Sequence, residues 1–214
     1  MVILKTTDPI FNPSKYLYMP FRISDATGAS SGTGASTATA PYNGYIEMKN
    51  LTTGTTTTGG SVLSLEQIPL PNPEKLWVYY GANVNDLSTV AEEFIFEFGI
   101  LDGTAGATSS DGVYFRYDRL TSTNWYAVTE ASSTETTTDT GVAVVADADD
   151  NFLIYTDVAG TEVKYYINDS LVATHTTNIP SATNMVSRMR IQKSAGTTSR
   201  TGRWMYHYAI ISRV

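Results

Sequence analysis

Glu93 and Glu97 are the residues of this chain whose type and spacing come nearest to catalytic chemistry. In Glu93-Phe94-Ile95-Phe96-Glu97, polar or aliphatic side chains alternate with aromatic ones, which predicts a β-strand with both carboxylates on one face. A retaining glycosidase holds two carboxyl groups about 5 Å apart, whereas four residues of strand span ~13 Å. The spacing therefore favours a strand with a buried aromatic face, and a glycoside hydrolase is kept as an alternative.

His175 and His207 are the two histidines of the chain, and both are interpreted as structural or surface side chains. An acidic turn offers oxygen ligands of the kind that calcium prefers; its residues are Asp147, Asp149, Asp150 and Asn151. Such turns are usually solvated, so no metal and no cofactor is predicted. The sequence also lacks a His-Glu-x-x-His motif, a P-loop and a dinucleotide fingerprint. We therefore predict that the chain is not an enzyme.

Aromatic side chains are the remaining residues that could bind a ligand, because flat rings can stack on sugars and also anchor protein interfaces. The rings considered for exposure are Trp77, Tyr79, Tyr80, Trp125, Tyr126, Trp204, Tyr206 and Tyr208. Adjacent strand residues point to opposite faces, so one tyrosine of each pair, Tyr79-Tyr80 and Tyr165-Tyr166, is expected to face outward or to lie at an interface. The sequence does not separate these two uses; for the alternative in which the chain binds a glycan, the predicted platform consists of Trp125, Tyr126 and Trp204.

The composition excludes several classes of protein. The chain has 214 residues, no cysteine and a formal net charge of -7 at pH 7, so it has no disulfide or thiolate metal site and is poorly suited to nucleic acid. No apolar run is long enough to cross a bilayer, and Lys5 and Asp8 interrupt the apolar start in a way that is not typical of a signal peptide. We therefore expect synthesis in a bacterial host cytoplasm, and neither a membrane nor a nucleic-acid partner.

Charges are unevenly distributed along the chain. After Asp169 the sequence contains no acidic residue, and the basic residues of this segment are Arg188, Arg190, Lys193, Arg200, Arg203 and Arg213. Either the segment forms a basic face for an acidic partner or a neighbouring subunit, or its strands lie beside acidic strands and the charges cancel locally. We favour local cancellation.

Short segments with period-two alternation, separated by polar turns, predict an all-β protein. The predicted strands lie near residues 43–49, 61–68, 75–81, 92–101, 112–118, 123–129, 141–146, 151–158, 161–167, 170–177, 185–192 and 202–212. The clearest hairpin joins residues 161–167 to the strand that follows through Asn168-Asp169-Ser170. Many short strands at regular spacing predict one antiparallel sandwich or jelly roll.

Residues 1–41 differ from the rest and are predicted to form an extended N-terminal arm and linker before a jelly roll over residues 42–214. Residues 25–40 are nearly all Gly, Ala, Ser and Thr, which is typical of a flexible linker or loop. The apolar and aromatic part of the arm is predicted to contact a capsid or another copy of the chain. The residues of this predicted interface are Tyr16, Leu17, Tyr18, Met19, Phe21 and Ile23.

The strand that contains both glutamates also resembles a known catalytic motif. Glu93-Phe94-Ile95-Phe96-Glu97 is similar to the Glu-x-Asp-x-Glu strand of laminarinase-type glycoside hydrolases, which are concanavalin-like jelly rolls. The middle acid, which orients and tunes the nucleophile in that family, is Ile95 here. This departure puts a catalytic role for the two glutamates in doubt.

The passage from Phe94 to Ile211 resembles the concanavalin-like jelly-roll domain of structural proteins of tailed phages, such as head decoration proteins, head fibres and tail fibres. The segments that carry this resemblance are 96–102, 111–117, 124–129, 138–142, 163–169, 171–181 and 193–197. The resemblance implies an antiparallel concanavalin-like jelly-roll sandwich and a non-enzymatic protein on the virion surface. It carries over no functional residue.

We accordingly predict a capsid decoration or cement protein that binds the outer shell of a phage and stabilises it. The arm would lie on capsid proteins or on a neighbouring copy, and the jelly roll would project as part of a homotrimer. Burial of apolar surface in many copies would stabilise the shell. The alternative is a carbohydrate-binding receptor-recognition module of a tail fibre or tailspike, with a host surface glycan as its ligand.

Overall fold

The computed structural model shows a sandwich of two antiparallel sheets, which confirms the predicted fold class. The described residues are 16–21, 26–42, 45–67, 75–102, 109–181 and 185–212. Within these ranges no helix is long and apolar enough to cross a membrane.

Each sheet joins strands that are distant in the chain. In chain order the strands are β1 (Tyr16–Phe21), β2 (Thr27–Ser31), β3 (Ser36–Tyr42), β4 (Tyr45–Thr52), β5 (Gly59–Gln67), β6 (Leu76–Val84), β7 (Phe94–Leu101), β8 (Gly112–Asp118), β9 (Asn124–Ala131), β10 (Thr134–Ala143), β11 (Asp150–Thr156), β12 (Val163–Ile167), β13 (Ser170–His175), β14 (Val186–Lys193) and β15 (Thr201–Ser212). The eight-stranded sheet has the order β13-β12-β11-β6-β15-β4-β3, with β1 also paired to β15. The seven-stranded sheet has the order β10-β9-β8-β7-β14-β5-β2. Side chains far apart in sequence can therefore share one sheet face.

Period-two alternation along β7 builds the centre of the core. Phe94, Phe96 and Phe98 are fully buried between the sheets, and the ring of Phe98 packs edge-on against Phe152 of β11 with centroids 4.7 Å apart. Burial of such side chains contributes about 1.5–3 kcal/mol each relative to exposure. The residues between them, Glu97 among them, consequently face away from the core.

Two hairpins turn through pairs of residues with positive φ. Asn168 and Asp169, between β12 and β13, have φ values of 49° and 66°. A two-residue type I′ turn needs positive φ at both positions, so these values agree with the predicted hairpin. Ser132 and Ser133, between β9 and β10, have φ values of 50° and 62°. This second turn starts β10 at Thr134, several residues before the strand predicted at 141–146.

The segment predicted as a flexible linker is largely β-structure. β2 pairs with β5 and β3 pairs with β4, so both strands belong to the sandwich, each at the end of a sheet. Backbone hydrogen bonds hold an edge strand without many apolar side chains, which is why a Thr-, Ser- and Ala-rich sequence suffices there. The linker prediction is therefore wrong for residues 27–31 and 36–40, and the predicted boundary at 41/42 falls inside β3.

Part of the predicted arm is also a strand of the sandwich. The backbone of β1 pairs antiparallel with β15, from Tyr16 opposite Ser212 to Phe21 opposite His207. The segment is therefore bound to its own chain. Ile23 lies outside the described residues. A contact of Tyr16, Leu17, Tyr18, Met19 and Phe21 with a capsid or another copy remains a prediction.

Candidate functional site

The outer face of the seven-stranded sheet carries a row of charged side chains across its central strands. Arg190 on β14 lies opposite Glu97 on β7, and Glu97 lies opposite Arg116 on β8. Opposed residues of antiparallel strands place their Cβ atoms ~5 Å apart. The register of three strands therefore brings two cations against one anion.

Glu97 is the buried centre of this row, with 2% of its surface exposed. Its Oε1 accepts a hydrogen bond from Nε of Arg116 at 2.8 Å, and its Oε2 accepts one from Nε of Arg190 at 2.8 Å. Burial opposes ionisation, but the positive charges of Arg190 and Arg116 outweigh it and lower the pKa of Glu97. The side chain is thus an ionised carboxylate with both oxygens engaged.

Arg116 connects Glu97 to two further acids. Its Nη1 and Nη2 donate to Oε2 and Oε1 of Glu135 at 2.9 and 2.6 Å, which makes a bidentate pair. Nη2 also donates to Oη of Tyr114 at 2.7 Å, and Tyr114 in turn donates to Oε2 of Glu130 at 2.9 Å. A continuous polar network therefore spans β7, β8, β9 and β10.

This network lines an open cleft with a volume of about 300 Å³. We call it the charged cleft, and its lining residues are Ile95, Glu97, Ser109, Arg116, Asp118, Glu130, Ser133, Glu135 and Arg190. Pockets of this size with convergent polar groups and shifted pKa values are the usual candidates for a binding site. The charged cleft is therefore the candidate functional site of the chain.

Glu93 is held apart from this network. Glu93 directly precedes β7, and its Oε2 accepts a hydrogen bond from Oγ of Ser194 at 3.1 Å. Glu97 lines the charged cleft and Glu93 does not. The two glutamates thus have different surroundings, contrary to what a catalytic pair around one glycosidic bond needs.

Two of the three predicted platform residues lie in the core. Trp125 and Trp204 are 1% and 0% exposed, and the ring of Trp125 packs against Phe152 with centroids 5.0 Å apart. The predicted exposure of both tryptophans is therefore wrong, because strand alternation turns them inward. Tyr126 is partly exposed and lies opposite Arg116 on the outer face, beside the charged cleft.

The outer face of the eight-stranded sheet carries a second set of aromatic rings. Tyr79 and Tyr166 are partly exposed while Tyr80 and Tyr165 are buried, which confirms that one tyrosine of each pair faces outward. Tyr79 stacks on Tyr208 with centroids 4.4 Å apart and an interplanar angle of 13°. Rings stacked on one another cover part of their own faces, so this surface is less suited to stacking a sugar.

Both histidines are structural side chains in the interior. Nδ1 and Nε2 of His175 lie 3.0 and 2.9 Å from the hydroxyls of Thr129 and Thr138, and burial lowers the pKa of His175. Nε2 of His207 lies 2.7 Å from Oγ of Ser187, and burial lowers the pKa of His207 to about 3. Ser187 is fully buried, so this Ser–His contact is closed to a substrate.

Residues 28–32, Gly-Ala-Ser-Ser-Gly, have the spacing of a nucleophile elbow. The structure places Ser30 within the extended strand β2, whereas an elbow requires a sharp turn from a strand into a helix. Its Oγ lies 3.1 Å from Oγ of Ser61. Ser30 is therefore a strand residue and not an activated nucleophile.

The acidic turn that was considered for calcium is held by hydrogen bonds and an ion pair. The partners are Arg203 for Asp147, Asn83 for Asp149, and Trp125 and Asn168 for Asp150. In the described part of the chain, no group of three or more acidic, histidine or cysteine side chains is arranged to hold a metal ion.

The predicted local cancellation of charge is confirmed for those basic residues after Asp169 that form ion pairs. These pairs are Arg190 with Glu97, Lys193 with Glu92, Arg200 with Asp86, and Arg203 with Asp147. Arg188 donates from Nε to Oγ of Ser64 at 2.9 Å, and Arg213 lies outside the described residues. The segment is therefore neutralised within the chain at four of its basic positions.

Sequence reasoning did not identify the residues that surround Glu97. They are Tyr114, Arg116, Glu130, Glu135 and Arg190. Alternation in Val113-Tyr114-Phe115-Arg116-Tyr117 is the one usable signal, since it places Tyr114 and Arg116 on the same face of a strand. The partner strands are set by non-local pairing, which the alternation does not reveal.

Solved structures with the same fold include lectin-like and enzymatic proteins. The crystal structure of SO2946 from Shewanella oneidensis MR-1 has a TM-score of 0.62 at 10% identity, covering 93% of this chain and 87% of that one. The carbohydrate recognition domain of Emp47p has a TM-score of 0.59 at 9% identity, covering 95% and 99%. The β-glucanase of Bacillus licheniformis has a TM-score of 0.57 at 12% identity, covering 93% and 98%. At these identities the likeness establishes the concanavalin-like jelly-roll fold.

Sequence comparison assigns the chain to a family. A search of curated protein sequences found no match. The model of the SO2946-like C-terminal domain, however, matches residues 44–203, which is most of the sandwich. This chain therefore belongs to the family of the SO2946-like C-terminal domain.

Proposed function

We propose that this chain is a non-catalytic carbohydrate-binding module whose ligand lies in the charged cleft and against Tyr126 beside it. The observation that carries the proposal is the cleft of about 300 Å³, lined by arginine, carboxylate and serine side chains on an open sheet face. Such groups form hydrogen bonds with sugar hydroxyls, and a partly exposed tyrosine ring can cover the apolar face of a sugar.

The energetic cost of the cleft supports a functional role. Desolvating the side chains of Glu97 and Arg190 costs free energy that apolar side chains at the same positions would not cost. Clusters of groups with shifted pKa values tend to mark functional sites for this reason. The fold shared with the carbohydrate recognition domain of Emp47p agrees with a sugar ligand.

The surroundings of Glu97 favour binding over hydrolysis. Both of its oxygens accept hydrogen bonds from arginines, and 2% of its surface is exposed. A glycosidase nucleophile must approach the anomeric carbon of the sugar closely. Two guanidinium groups stand in the way of that approach.

The first test is a glycan array with the wild-type chain and a Tyr126→Ala variant. We expect the wild type to bind at least one glycan of the array, and Tyr126→Ala to weaken that binding about tenfold, which corresponds to about 1.4 kcal/mol. Tyr155→Ala is the matched control, because Tyr155 is a partly exposed tyrosine that faces outward from the eight-stranded sheet. We expect this control to bind within about twofold of the wild type.

Two results would count against this proposal. Loss of binding in Tyr155→Ala with retention in Tyr126→Ala would move the site to the eight-stranded sheet. A wild-type chain that binds nothing on a broad array would remove the carbohydrate-binding function.

As a second candidate, we propose that the module stands on the surface of a tailed-phage particle, as a decoration protein or as part of a tail. The resemblance of residues 94–211 to phage jelly-roll domains supports this. So does β1, since a six-residue N-terminal strand held by sheet pairing can be exchanged between copies of an oligomer, such as a homotrimer.

Quantitative mass spectrometry of purified particles, from the source that encodes the chain, tests this second candidate. We expect a copy number that matches the capsid lattice for a decoration protein, and a handful of copies for a tail protein. Absence of the chain from particles would exclude a virion location.

A further inference from the structure

The proposed carbohydrate site contains one acid, Glu130, that forms no ion pair with an arginine, unlike Glu97 and Glu135. Glu130 on β9 is 5% exposed and lines the charged cleft. It lies directly opposite Glu135 of β10 in the antiparallel register, so two acids share one cross-strand position. Like charges placed this way repel, and one of the two carboxyls holds its proton more tightly.

The hydrogen bonds indicate which of the two carboxyls, Glu130 or Glu135, holds its proton more tightly. Glu135 receives the bidentate pair of bonds from Arg116. Glu130 receives a hydrogen bond at its Oε2 from Oη of Tyr114 at 2.9 Å. Among the described residues, no group donates to its other oxygen, Oε1. The carboxyl of Glu130, which lines the charged cleft, therefore has one oxygen that accepts a hydrogen bond from the protein and one that does not.

The charges of the ion-paired residues around Glu130 balance without it. Arg116 and Arg190 together carry two positive charges, and Glu97 and Glu135 carry two negative ones. An ionised Glu130 would be an extra negative charge in a largely desolvated place. Burial, together with the charge of Glu135, raises the pKa of Glu130, although the hydrogen bond from Tyr114 acts in the opposite direction.

Charged and titratable groups on four strands surround the carboxyl of Glu130. They are Tyr114, Arg116 and Asp118 on β8, Glu97 on β7, Glu135 on β10 and Arg190 on β14. The two arginines among them are paired with Glu97 and Glu135. The charge of Arg116 lowers the pKa of Glu130, but burial and the charges of Glu135 and Glu97 act in the opposite direction and outweigh it.

We infer that Glu130 is the ligand-recognition group of the charged cleft and that its carboxyl, in the protonated form, donates a hydrogen bond through Oε1 to an oxygen of a neutral sugar. This inference rests on the proposed carbohydrate-binding function. A neutral polyhydroxylated ligand accepts such a bond, whereas a sugar acid would add a negative charge beside Glu135. Affinity for a neutral sugar should then fall as the pH rises and Glu130 loses its proton.

Calorimetric titration with laminarihexaose, a neutral glucose hexasaccharide, between pH 4.5 and 8.5 tests the inference. We expect wild-type affinity to fall about tenfold for each pH unit above the Glu130 pKa, since one pKa unit corresponds to a factor of ten. Glu130→Gln keeps a donor at the same place, because the amide N–H₂ replaces the protonated oxygen. We expect this variant to bind as the wild type does at low pH, within about threefold, and to show no fall with pH.

Glu135→Gln supplies a readout that a merely structural role of Glu130 would not move. Removing the charge of Glu135 leaves Arg116 with less negative charge and removes the repulsion of Glu130, so the pKa of Glu130 should fall. The midpoint of the affinity profile should therefore move to lower pH. Thermal melting of each variant, followed by circular dichroism, confirms that it is folded.

The outcomes separate this inference from the proposed function. Wild-type binding that is independent of pH, or the same pH dependence in Glu130→Gln, would overturn the role of Glu130 and leave carbohydrate binding in place. Tighter binding of tetragalacturonate than of laminarihexaose would also overturn it. Absence of binding to both probes at every pH, together with an empty glycan array, would remove the carbohydrate-binding function and this inference with it.

Discussion

Glu97→Gln is expected to lower the free energy of unfolding by about 3–5 kcal/mol, the typical cost of removing one partner from a buried ion pair. The glutamine keeps the size of the side chain but loses the charge that both Arg116 and Arg190 need. Arg190 is 7% exposed, so its guanidinium would be left buried and without its counter-ion. Urea unfolding followed by tryptophan fluorescence measures the change.

Glu93→Gln is the matched control for this experiment. Glu93 directly precedes β7 and accepts a hydrogen bond from Oγ of Ser194, so its substitution is expected to cost less than about 1 kcal/mol. Equal losses in the two variants would contradict the assignment of Glu97 as the centre of the network. The double variant Glu97→Gln/Arg190→Met should lose less free energy of unfolding than the sum of the losses in the two single variants.

The carboxyl of Glu97 also contributes to the pH dependence of stability. The pKa of Glu97 is lowered on folding, so the folded state binds its proton less readily than the unfolded state. The stabilisation is therefore present above the unfolded pKa of about 4.3 and is lost as the pH falls through the folded value. Glu97→Gln should remove this part of the acid destabilisation, which urea unfolding at pH 3 and at pH 7 would measure.

Trp125→Ala is expected to destabilise the fold by about 3–5 kcal/mol, the typical cost of truncating a buried tryptophan. The ring packs against Phe98 and Phe152 with centroids 5.6 and 5.0 Å apart, and its Nε1 donates to Oδ2 of Asp150 at 3.3 Å. Truncation would leave a cavity in the middle of the sandwich. Any loss of glycan binding in this variant would follow from unfolding.

Tyr126→Ala, one residue further along β9, is the control for this second change. Its ring faces outward, so the loss of stability should be clearly smaller than that of Trp125→Ala, at about 1–2 kcal/mol or less. Thermal and urea unfolding of the two variants side by side make the comparison. Similar stability of both variants would mean that Trp125 does not lie in the core.

Alternation in the sequence is enough to predict the inward and outward faces of β7. In β7 the aromatic residues Phe94, Phe96 and Phe98 recur at every second position, and a side-chain period of two leaves few other structures for such a segment. The hairpin through Asn168 and Asp169 was also predictable, since these residue types tolerate positive φ. Ser132 and Ser133 adopt the same conformation without that signal, so the start of β10 was missed.

The same alternation did not show which sheet face would be covered. Trp125 and Tyr126 are both aromatic, and a strand taken alone could turn either one inward. Packing of β9 against the opposite sheet decides between them, because the larger apolar ring gains more from burial. The sequence did not predict the edge strands β2 and β3 for a related reason, since backbone pairing holds them without an apolar pattern.

The sequence by itself determined the all-β class, the antiparallel sandwich and the outward position of Glu97, because these follow from local periodicity and turn residues. Tertiary structure alone decided that Glu97 meets Arg116 and Arg190, and that Glu130 faces Glu135. Arg190 is 93 residues from Glu97 in the chain. Their contact depends on which strands become neighbours and in which register, and both are set by the packing of the whole sandwich rather than by any local segment.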